Sequence, residues 1–368
     1  MSLDVAIVGC GKIADAHAEQ IRHVGGARLV AVCDREELMA RQLAERFGVE
    51  RWFTDLDVLL RDARPDVVHV TTPPQSHHAI ARRCLEHGVH VYVEKPFTVD
   101  AREAEDLVAL AETLGLRLTV GHDAQFSPAA NRMRKLVRDG YLGDAVVHME
   151  SYYGYDLGDR AYAAAFVGDR RHWVRQLPGG LLQNVISHGV ARIAEHLSGK
   201  TVKVVAQGFT SPALAANGVD DVLDELRVML VDAAGTTAYF TFSSQMRPAL
   251  NQFRLFGSRN GLVLDEQQQT LVKLRGASFK SYVERFVPPV ILARQYLANA
   301  TSNARRFLAN DFHMEAGKRH LIGAFYRAIT QGGPAPIPYS EILTTARLMD
   351  AIFEQLAQSG SHGRSGQC

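Results

Sequence analysis

The sequence predicts an α/β protein with two domains: a doubly wound parallel sheet comes first, and a large, mainly antiparallel open sheet follows. The 368 residues are too many for one ordinary core. Up to residue 121, short apolar runs alternate with helix-period segments, which is typical of βαβ units. Beyond it, longer segments alternate between apolar and polar residues, as in antiparallel sheets. We therefore expect domains at 1–121 and 122–358 and a flexible tail at 359–368.

The expected strands of the first domain are short, β-branched and apolar on both faces, as buried parallel strands are. They are Leu3–Val8, Arg28–Cys33, Val67–Thr71, His90–Val93 and Arg117–Val120. The expected helices between them are Ile13–His23, Glu36–Phe47, His78–His87 and Ala101–Leu114.

The second domain is expected to open with a helix at Ala129–Arg138 and to continue with strands of period two. In the segment Glu225–Val231, for example, Leu226, Val228 and Leu230 point to one face and Arg227 points to the other. Hairpin turns are predicted at Asp232–Gly235 and at Ser258–Gly261, where Asn-Gly is the stronger signal. The other predicted strands are Ala145–Tyr153, Lys203–Phe209 and Thr236–Ser243.

Three helices are predicted near the end of the chain: Phe286–Leu308, Met314–Thr330 and Glu341–Gln358. The first is apolar with interspersed arginines and follows a break at Pro288-Pro289. A packing or subunit-contact helix is the favoured interpretation, and a helix on a membrane surface is the alternative.

The composition argues against several classes of protein. The chain has 41 basic and 40 acidic residues, so it lacks the basic excess of a nucleic-acid-binding protein. The N-terminus lacks a basic region and leads directly into a glycine motif, so it resembles a strand more than a signal peptide. No apolar stretch is long enough to span a membrane. The four cysteines form no zinc-binding pattern, and we expect a cytoplasmic protein with no metal.

A glycine motif follows the first predicted strand and opens the first predicted helix. The segment Gly9-Cys10-Gly11-Lys12-Ile13-Ala14 fits the dinucleotide-binding pattern G-x-G-x-x-G/A. Gly9 allows the tight turn, Gly11 allows the backbone to approach a pyrophosphate, and Ala14 allows close packing of helix on strand. The helix N-terminus then offers N–H groups to the phosphates. The sequence therefore predicts a Rossmann domain.

Asp34 strengthens this prediction because it ends the second strand, 20 positions after Ala14. A carboxylate there can accept hydrogen bonds from the adenosine ribose and repels a 2′-phosphate, which favours NAD(H) over NADP(H). The neighbouring Arg35 can hold a 2′-phosphate, so NADP(H) stays open.

Two further segments follow predicted strands and are expected to line the ligand crevice at the carboxyl edge of the sheet. The first is Thr71-Thr72-Pro73-Pro74-Gln75-Ser76-His77, and the second is Glu94-Lys95-Pro96. A partly desolvated lysine beside NAD⁺ has a lowered pKa, which suits Lys95 to take a proton from an alcohol or return it to a ketone.

In combination, these motifs resemble the glucose–fructose oxidoreductase / inositol dehydrogenase / MocA family. The resemblance runs from Leu3 to Gln358 and includes Gly179-Gly180 followed by His188. It implies a Rossmann domain, an open-sheet second domain and a homodimer or homotetramer formed through that sheet. It also implies that Lys95 is the catalytic lysine and His188 the substrate-side histidine. The candidate cofactor-binding residues are Gly9, Gly11, Lys12, Ile13, Asp34, Arg35, Thr72, Pro73, His77, Glu94 and Lys95.

Two positions depart from the family pattern. Many members carry Asp four residues before the histidine, where this chain has Asn184. Asparagine can hydrogen-bond but cannot act as a base, so it is expected to orient the substrate with His188. Gln125 stands where the family usually has an arginine, in the segment after the predicted strand Arg117–Val120. Further candidate substrate contacts are Tyr152, Tyr153, Tyr155, Asp156, His172, Trp173 and Arg175, which suit a subunit interface equally well.

The expected activity is reversible oxidation of a secondary hydroxyl on a sugar, cyclitol or sugar nucleotide. Two alternatives stay open at this stage. A tightly bound NAD could serve a redox-neutral elimination or epimerisation, or the chain could bind a dinucleotide without catalysis.

Overall fold

The computed structural model describes residues 2–197, 201–276, 281–309, 311–312 and 316–363. The chain forms two compact units. Unit 1 contains residues 1–123 and 317–347, and unit 2 contains residues 124–316 and 348–368. The sequence suggested one continuous second domain, but residues 317–347 group with the first unit.

Unit 1 has a parallel sheet of six strands in the order β3-β2-β1-β4-β5-β6, which is the doubly wound order and confirms the predicted fold class. Its elements are β1 Leu3–Val8, α1 Lys12–His23, β2 Ala27–Cys33, α2 Glu37–Phe47, β3 Arg51–Phe53, α3 Leu56–Ala63, β4 Val67–Val70, α4 His77–Glu86, β5 His90–Val93, α5 Ala101–Thr113 and β6 Leu118–Val120. The predicted elements agree with these bounds to within one residue.

The pair β3 and α3 was not predicted. The strand β3 has three residues at the edge of the sheet, and Trp52 in its centre is 40% exposed. So short an edge strand shows neither a buried apolar run nor a readable alternation. The helix α3 begins after Asp55, whose carboxylate accepts the backbone N–H of Val58 at 2.9 Å and caps the helix.

Unit 2 has a sheet of seven strands in the order β13-β12-β11-β7-β10-β9-β8. The pair β7 and β10 is parallel and the other pairs are antiparallel, which confirms the mainly antiparallel sheet. The elements are α6 Pro128–Arg138, β7 Val146–Gly154, α7 Arg160–Ala163, α8 Gly180–Val185, α9 Ser187–Ala194, β8 Val202–Phe209, α10 Pro212–Ala216, β9 Glu225–Asp232, β10 Thr237–Ser243, β11 Gln252–Gly257, β12 Asn260–Asp265, β13 Thr270–Arg275 and α11 Val287–Leu308.

The two predicted hairpins are present, and one of them turns at an unexpected place. The strands β9 and β10 pair across the turn at Asp232–Gly235, as predicted. Asn260 and Gly261, predicted as the stronger turn signal, belong instead to strand β12, so the chain turns at Ser258-Arg259. The Asn260 amide is held elsewhere, because it donates to Tyr141 O at 2.8 Å and accepts from Gly276 N at 3.1 Å.

Helix α11 covers the β13 edge of this sheet. Asn299 accepts the N–H of Leu271 at 3.1 Å and donates to its carbonyl at 3.0 Å. One turn earlier, Gln295 makes the same pair of bonds to Lys273, at 2.8 and 3.0 Å. Two side-chain amides therefore take the backbone groups that another strand would pair with. The helix begins at Val287 with both prolines in its first turn, so the predicted break is part of the helix.

Two helices complete the chain: α12 Ala316–Thr330 and α13 Tyr339–Gly363. Helix α13 extends into the predicted tail, and residues 364–368 lie outside the described range, as does Met314, the predicted start of α12. In the described part of the chain, no helix has the length and apolar character needed to cross a bilayer.

Candidate functional site

The predicted cofactor segments of unit 1 lie together at the carboxyl edge of its sheet. Gly9, Asp34, Thr71 and Glu94 are each the first residue after a strand. Backbone hydrogen bonds tie all four positions to the neighbouring strand: Gly9 N to Cys33 O at 2.8 Å, Asp34 N to Phe53 O at 3.1 Å, Thr71 N to Val8 O at 2.8 Å, and Glu94 N to Val70 O at 2.9 Å. In a doubly wound sheet this edge is where ligands bind.

The two glycines of the motif meet different constraints. Gly9 has φ +98°, and a Cβ placed on it would lie 2.6 Å from the Thr72 methyl group and 2.7 Å from the Thr72 nitrogen. Only glycine fits there. Gly11 has ordinary backbone angles and open space where a Cβ would be. It precedes α1, whose N-terminus receives no hydrogen bond from a capping side chain. A pyrophosphate fits this arrangement.

Asp34 is bound to the glycine turn itself. One carboxylate oxygen accepts Cys10 N–H at 2.7 Å, and the other accepts Glu36 N–H at 2.9 Å. A carboxylate has about four acceptor positions, so positions are left for ribose hydroxyls. Lys12, Ile13 and Arg35 are exposed around this turn.

His77 joins the two loops that line the crevice. Its Nε2 lies 2.8 Å from Thr72 O, and its Nδ1 lies 2.9 Å from Pro96 O. The ring is buried, while the adjoining Pro73 is exposed and Thr72 half-buried. His77 therefore fixes the positions of the loops from within, and Thr72 and Pro73 present the surface.

Glu94 is buried and fully engaged. One of its carboxylate oxygens lies 2.7 Å from His17 Nε2 and 2.9 Å from Lys318 Nζ, and the other accepts Lys95 N–H at 2.9 Å. Lys318 is also buried, and its ammonium lies 3.4 Å from Asp123. Burial favours the neutral form of both groups, but the pairing with Lys318 and His17 holds the pKa of Glu94 well below its usual value.

A chain of hydrogen bonds continues from Glu94 into the core. His17 Nδ1 lies 2.8 Å from His69 Nδ1, and His69 Nε2 lies 2.9 Å from the Tyr326 hydroxyl. Burial lowers the pKa of both histidines, so each ring is neutral and carries one proton. With Glu94 ionised, one arrangement satisfies every atom: Tyr326 donates to His69, His69 donates to His17, and His17 donates to Glu94. We call His17, His69, Glu94, Lys318 and Tyr326 the Glu94 cluster.

Lys95 is half-buried beside this cluster. Burial lowers the pKa of its amine below the usual value, Lys318 lowers it further, and Glu94 and Asp123 act in the opposite direction. A lysine with a lowered pKa is a proton acceptor closer to working pH.

Sequence reasoning missed four members of the Glu94 cluster. His17 lies three residues after Ala14 in α1, and a buried histidine on the apolar face of that helix was a readable signal. Lys318 is separated from Glu94 by 224 positions, and nothing in the local sequence distinguishes it from a solvated lysine. His69 and Tyr326 are likewise joined only by the tertiary fold.

In unit 2, the predicted substrate-side residues lie on two short helices. Asn184 belongs to α8 and His188 to α9, and the helix is interrupted at Ile186. Within residues 181–190 these two are half-buried and the others are buried, so both point away from the packed core. Both residues lie on the less buried side of this segment although the helix is not continuous. Gly189 allows the close packing, because a Cβ there would lie 2.3 Å from the Phe240 ring.

The aromatic candidates of unit 2 divide between the two faces of β7. The ring of Tyr153 lies 6.0 Å from that of His188. Tyr152 points to the other face, where its hydroxyl bonds to Glu150 and its ring lies under Arg254. Tyr155 and Tyr162 share a hydrogen bond of 2.5 Å, and Phe166, His172 and Trp173 extend this cluster.

Three other predicted polar positions have protein partners in unit 2. Gln125, which replaces the family's arginine, is buried and donates to Glu195 at 3.0 Å. Asp156 pairs with Arg247, and Arg175 pairs with Asp221. Among the described residues, no group of three or more His, Cys, Asp or Glu side chains is arranged to hold a metal ion.

The glycine turn, the uncapped helix and the acidic residue after β2 define unit 1 as a dinucleotide-binding Rossmann unit. The family profile described as "Oxidoreductase family, NAD-binding Rossmann fold" matches residues 3–122, and the profile of the GFO/IDH/MocA C-terminal domain matches residues 130–263. The chain belongs to the GFO/IDH/MocA oxidoreductase family, which confirms the resemblance found in the sequence.

Individual relatives agree with this assignment. D-apiose dehydrogenase of Paraburkholderia graminis is 30% identical over 138 residues, which cover 38% of this chain and 37% of that protein. Thus the chain aligns with well under two thirds of that relative. The scyllo-inositol 2-dehydrogenase (NAD(+)) of Bacillus subtilis is 26% identical over 320 residues, which cover 83% of this chain and 88% of that protein. An NAD binding oxidoreductase from Klebsiella pneumoniae has the same fold, with a TM-score of 0.79 at 20% identity and 97% coverage of both chains.

Proposed function

We propose that the chain is an NAD(H)-dependent dehydrogenase that interconverts a secondary alcohol and a ketone on a sugar, cyclitol or sugar nucleotide. One observation carries this proposal: Lys95, with a lowered pKa, follows β5 at the same sheet edge as the glycine turn and Asp34. The family membership supports the redox chemistry. The relatives named for apiose and inositol support a polyhydroxylated substrate.

The proposed cofactor contacts follow from the geometry of the edge. Backbone N–H groups near Gly11, Lys12 and Ile13 would hold the pyrophosphate, and Asp34 would accept the ribose hydroxyls. Thr72 and Pro73 would line the adjacent wall, with His77 and Glu94 supporting it from below. The carboxylate of Asp34 favours NAD(H) over NADP(H), despite the neighbouring Arg35.

The chemistry proposed for the chain's own groups is proton transfer and orientation. Bound NAD⁺ would supply the acceptor for the hydride that leaves the carbinol carbon. The neutral Lys95 amine takes the hydroxyl proton as the carbonyl forms, and the lysine ammonium returns it in the reverse direction. His188 and Asn184 are proposed to orient the substrate through hydrogen bonds.

A direct test incubates the full chain with NAD⁺ or NADP⁺ and a panel of sugars, cyclitols and sugar nucleotides, while nicotinamide absorbance and substrate structure are followed. We expect reduced cofactor to accumulate with some members of the panel, and faster with NAD⁺. Preference for NADP⁺ would refute the role of Asp34. Conversion of substrate without net reduction of added cofactor would support the redox-neutral alternative. Failure to bind either dinucleotide would overturn the proposal.

A further inference from the structure

Lys318 is a buried cation without a part in the function proposed above. It lies on α12 with its side chain 3% exposed, and its ammonium contacts Glu94 at 2.9 Å and Asp123 at 3.4 Å. Burying an ammonium is costly unless it is paired, so a lysine in this place needs these two carboxylates. The same carboxylates act electrostatically on Lys95, and Glu94 also accepts the Lys95 backbone N–H at 2.9 Å.

We propose that Lys318 is a positioning residue for Lys95: its fixed positive charge offsets the negative charge of the two carboxylates, so that the Lys95 amine can alternate between its neutral and protonated forms. This inference rests on the proposed function, in which Lys95 exchanges a proton with the substrate.

The charged and titratable groups around Lys95 come from three parts of unit 1. Glu94 comes from the loop after β5, Asp123 and His122 from the segment after β6, and Lys318 from α12. His122 is buried, and burial lowers its pKa to about 4, so it is neutral at working pH. Two carboxylates and one permanent cation therefore act on Lys95. Without the cation, two uncompensated negative charges would hold Lys95 as an ammonium, which cannot accept a proton.

The Glu94 cluster keeps this arrangement rigid. One oxygen of Glu94 accepts hydrogen bonds from His17 and Lys318, and the other accepts a hydrogen bond from the Lys95 backbone N–H. The Lys95 backbone is thereby fixed by the carboxylate that Lys318 neutralises. Glu94 and Asp123 hold the pKa of Lys318 well above its usual value although burial opposes this, so Lys318 stays charged throughout the working range.

The test compares Lys318→Met, Lys318→Arg and the matched control Arg319→Met. The control removes the same charge one residue away on α12, where Arg319 bonds to Gln20. In the pH profile of kcat for alcohol oxidation, we expect Lys318→Met to move the acidic limb upward by roughly one pH unit. Lys318→Arg should restore most of the wild-type profile, and Arg319→Met should leave it in place.

A second measurement does not depend on turnover. Lysines methylated with ¹³C-formaldehyde can be titrated by NMR, and the Lys95 signal can be assigned by its loss in Lys95→Arg. Lys318→Met should raise the pKa of Lys95, and Asp123→Asn should lower it because a negative charge is removed. If the Lys95 pKa shifts in both variants but the wild-type protein has no dehydrogenase activity, the proposed function is refuted and the effect of Lys318 on Lys95 still stands. Should Lys318→Met not fold, the same titration is carried out on Lys318→Gln, which removes the charge and keeps a polar side chain. An unmoved Lys95 titration would overturn the inference.

Discussion

Unit 1 and unit 2 hold their candidate polar residues in contrasting ways. In unit 1, the Glu94 cluster is buried, and its hydrogen bonds permit one arrangement of protons. In unit 2, Asn184 and His188 are half-buried on two short helices. Fully satisfied buried networks impose a fixed geometry, whereas substitutions of partly exposed side chains usually change stability little. We therefore expect substitutions in and beside the Glu94 cluster to have larger effects than substitutions at Asn184 and His188.

The largest effect is expected from replacing the proposed acid/base. Lys95→Ala should lower kcat by about 10²- to 10⁴-fold, since this is the range that general acid–base groups contribute. His188→Ala should have a smaller effect on kcat and a larger relative effect on KM. Steady-state kinetics with an active substrate measures both, and NADH fluorescence should show retained binding in Lys95→Ala. Equal losses of kcat in Lys95→Ala and His188→Ala would contradict the contrast between the two units. Unchanged turnover in Lys95→Ala would remove Lys95 from the mechanism.

Next comes a pair of substitutions within the glycine turn. Gly9→Ala should lower the free energy of unfolding by about 1–3 kcal/mol or more, because the left-handed backbone is strained and the new methyl group meets Thr72. Gly11→Ala should leave the thermal midpoint unchanged, because nothing lies within 4 Å of its added Cβ. It should weaken NAD(H) binding instead. Thermal unfolding with and without NAD(H) separates these effects. A stable Gly9→Ala, or a Gly11→Ala that binds NAD(H) normally, would contradict our interpretation.

A smaller effect, on thermal stability, is expected when the pH is lowered. The pKa values of His17 and His69 are lowered in the folded protein, so the unfolded chain binds more protons below about pH 6.5. The stability contributed by these neutral rings is present above that pH and is lost as the pH falls. Glu94 adds the same dependence below about pH 4.5. We expect the Tm to fall from pH 7 to pH 5, and His69→Gln to make this dependence shallower. An equally steep decline in that variant would count against the neutral-ring assignment.

Local features made the first unit predictable. The glycine turn, Asp34 and the strand that precedes Lys95 can be predicted from adjacent residues. In a βαβ unit the strand, the loop after it and the next helix follow one another along the chain. The Glu94 cluster was not predictable in the same way. Its bonds join residues 52 to 257 positions apart, and a single sequence carries no record of such pairs.

In unit 2, alternation predicted β9 and β10, where one face is covered and the other exposed. The turn lies at Ser258-Arg259, within the predicted segment Ser258–Gly261, and not at Asn260-Gly261, because Asn260 has tertiary partners that outweigh its preference for a turn. Tyr152 and Tyr153 were grouped as neighbours in sequence, but adjacent residues of a strand face opposite ways.

The pairing of Gln295 and Asn299 with β13 has a consequence for self-association. An exposed strand edge is a template on which another chain can add a strand, and repetition of that step gives filaments. Here the backbone groups of Leu271 and Lys273 already have amide partners. A second copy of the chain therefore cannot pair with these backbone groups at the β13 edge. An assembly formed through the sheet must use one of its faces or the β8 edge. With one edge covered, strands cannot be added at both ends, and this favours closed oligomers over fibres.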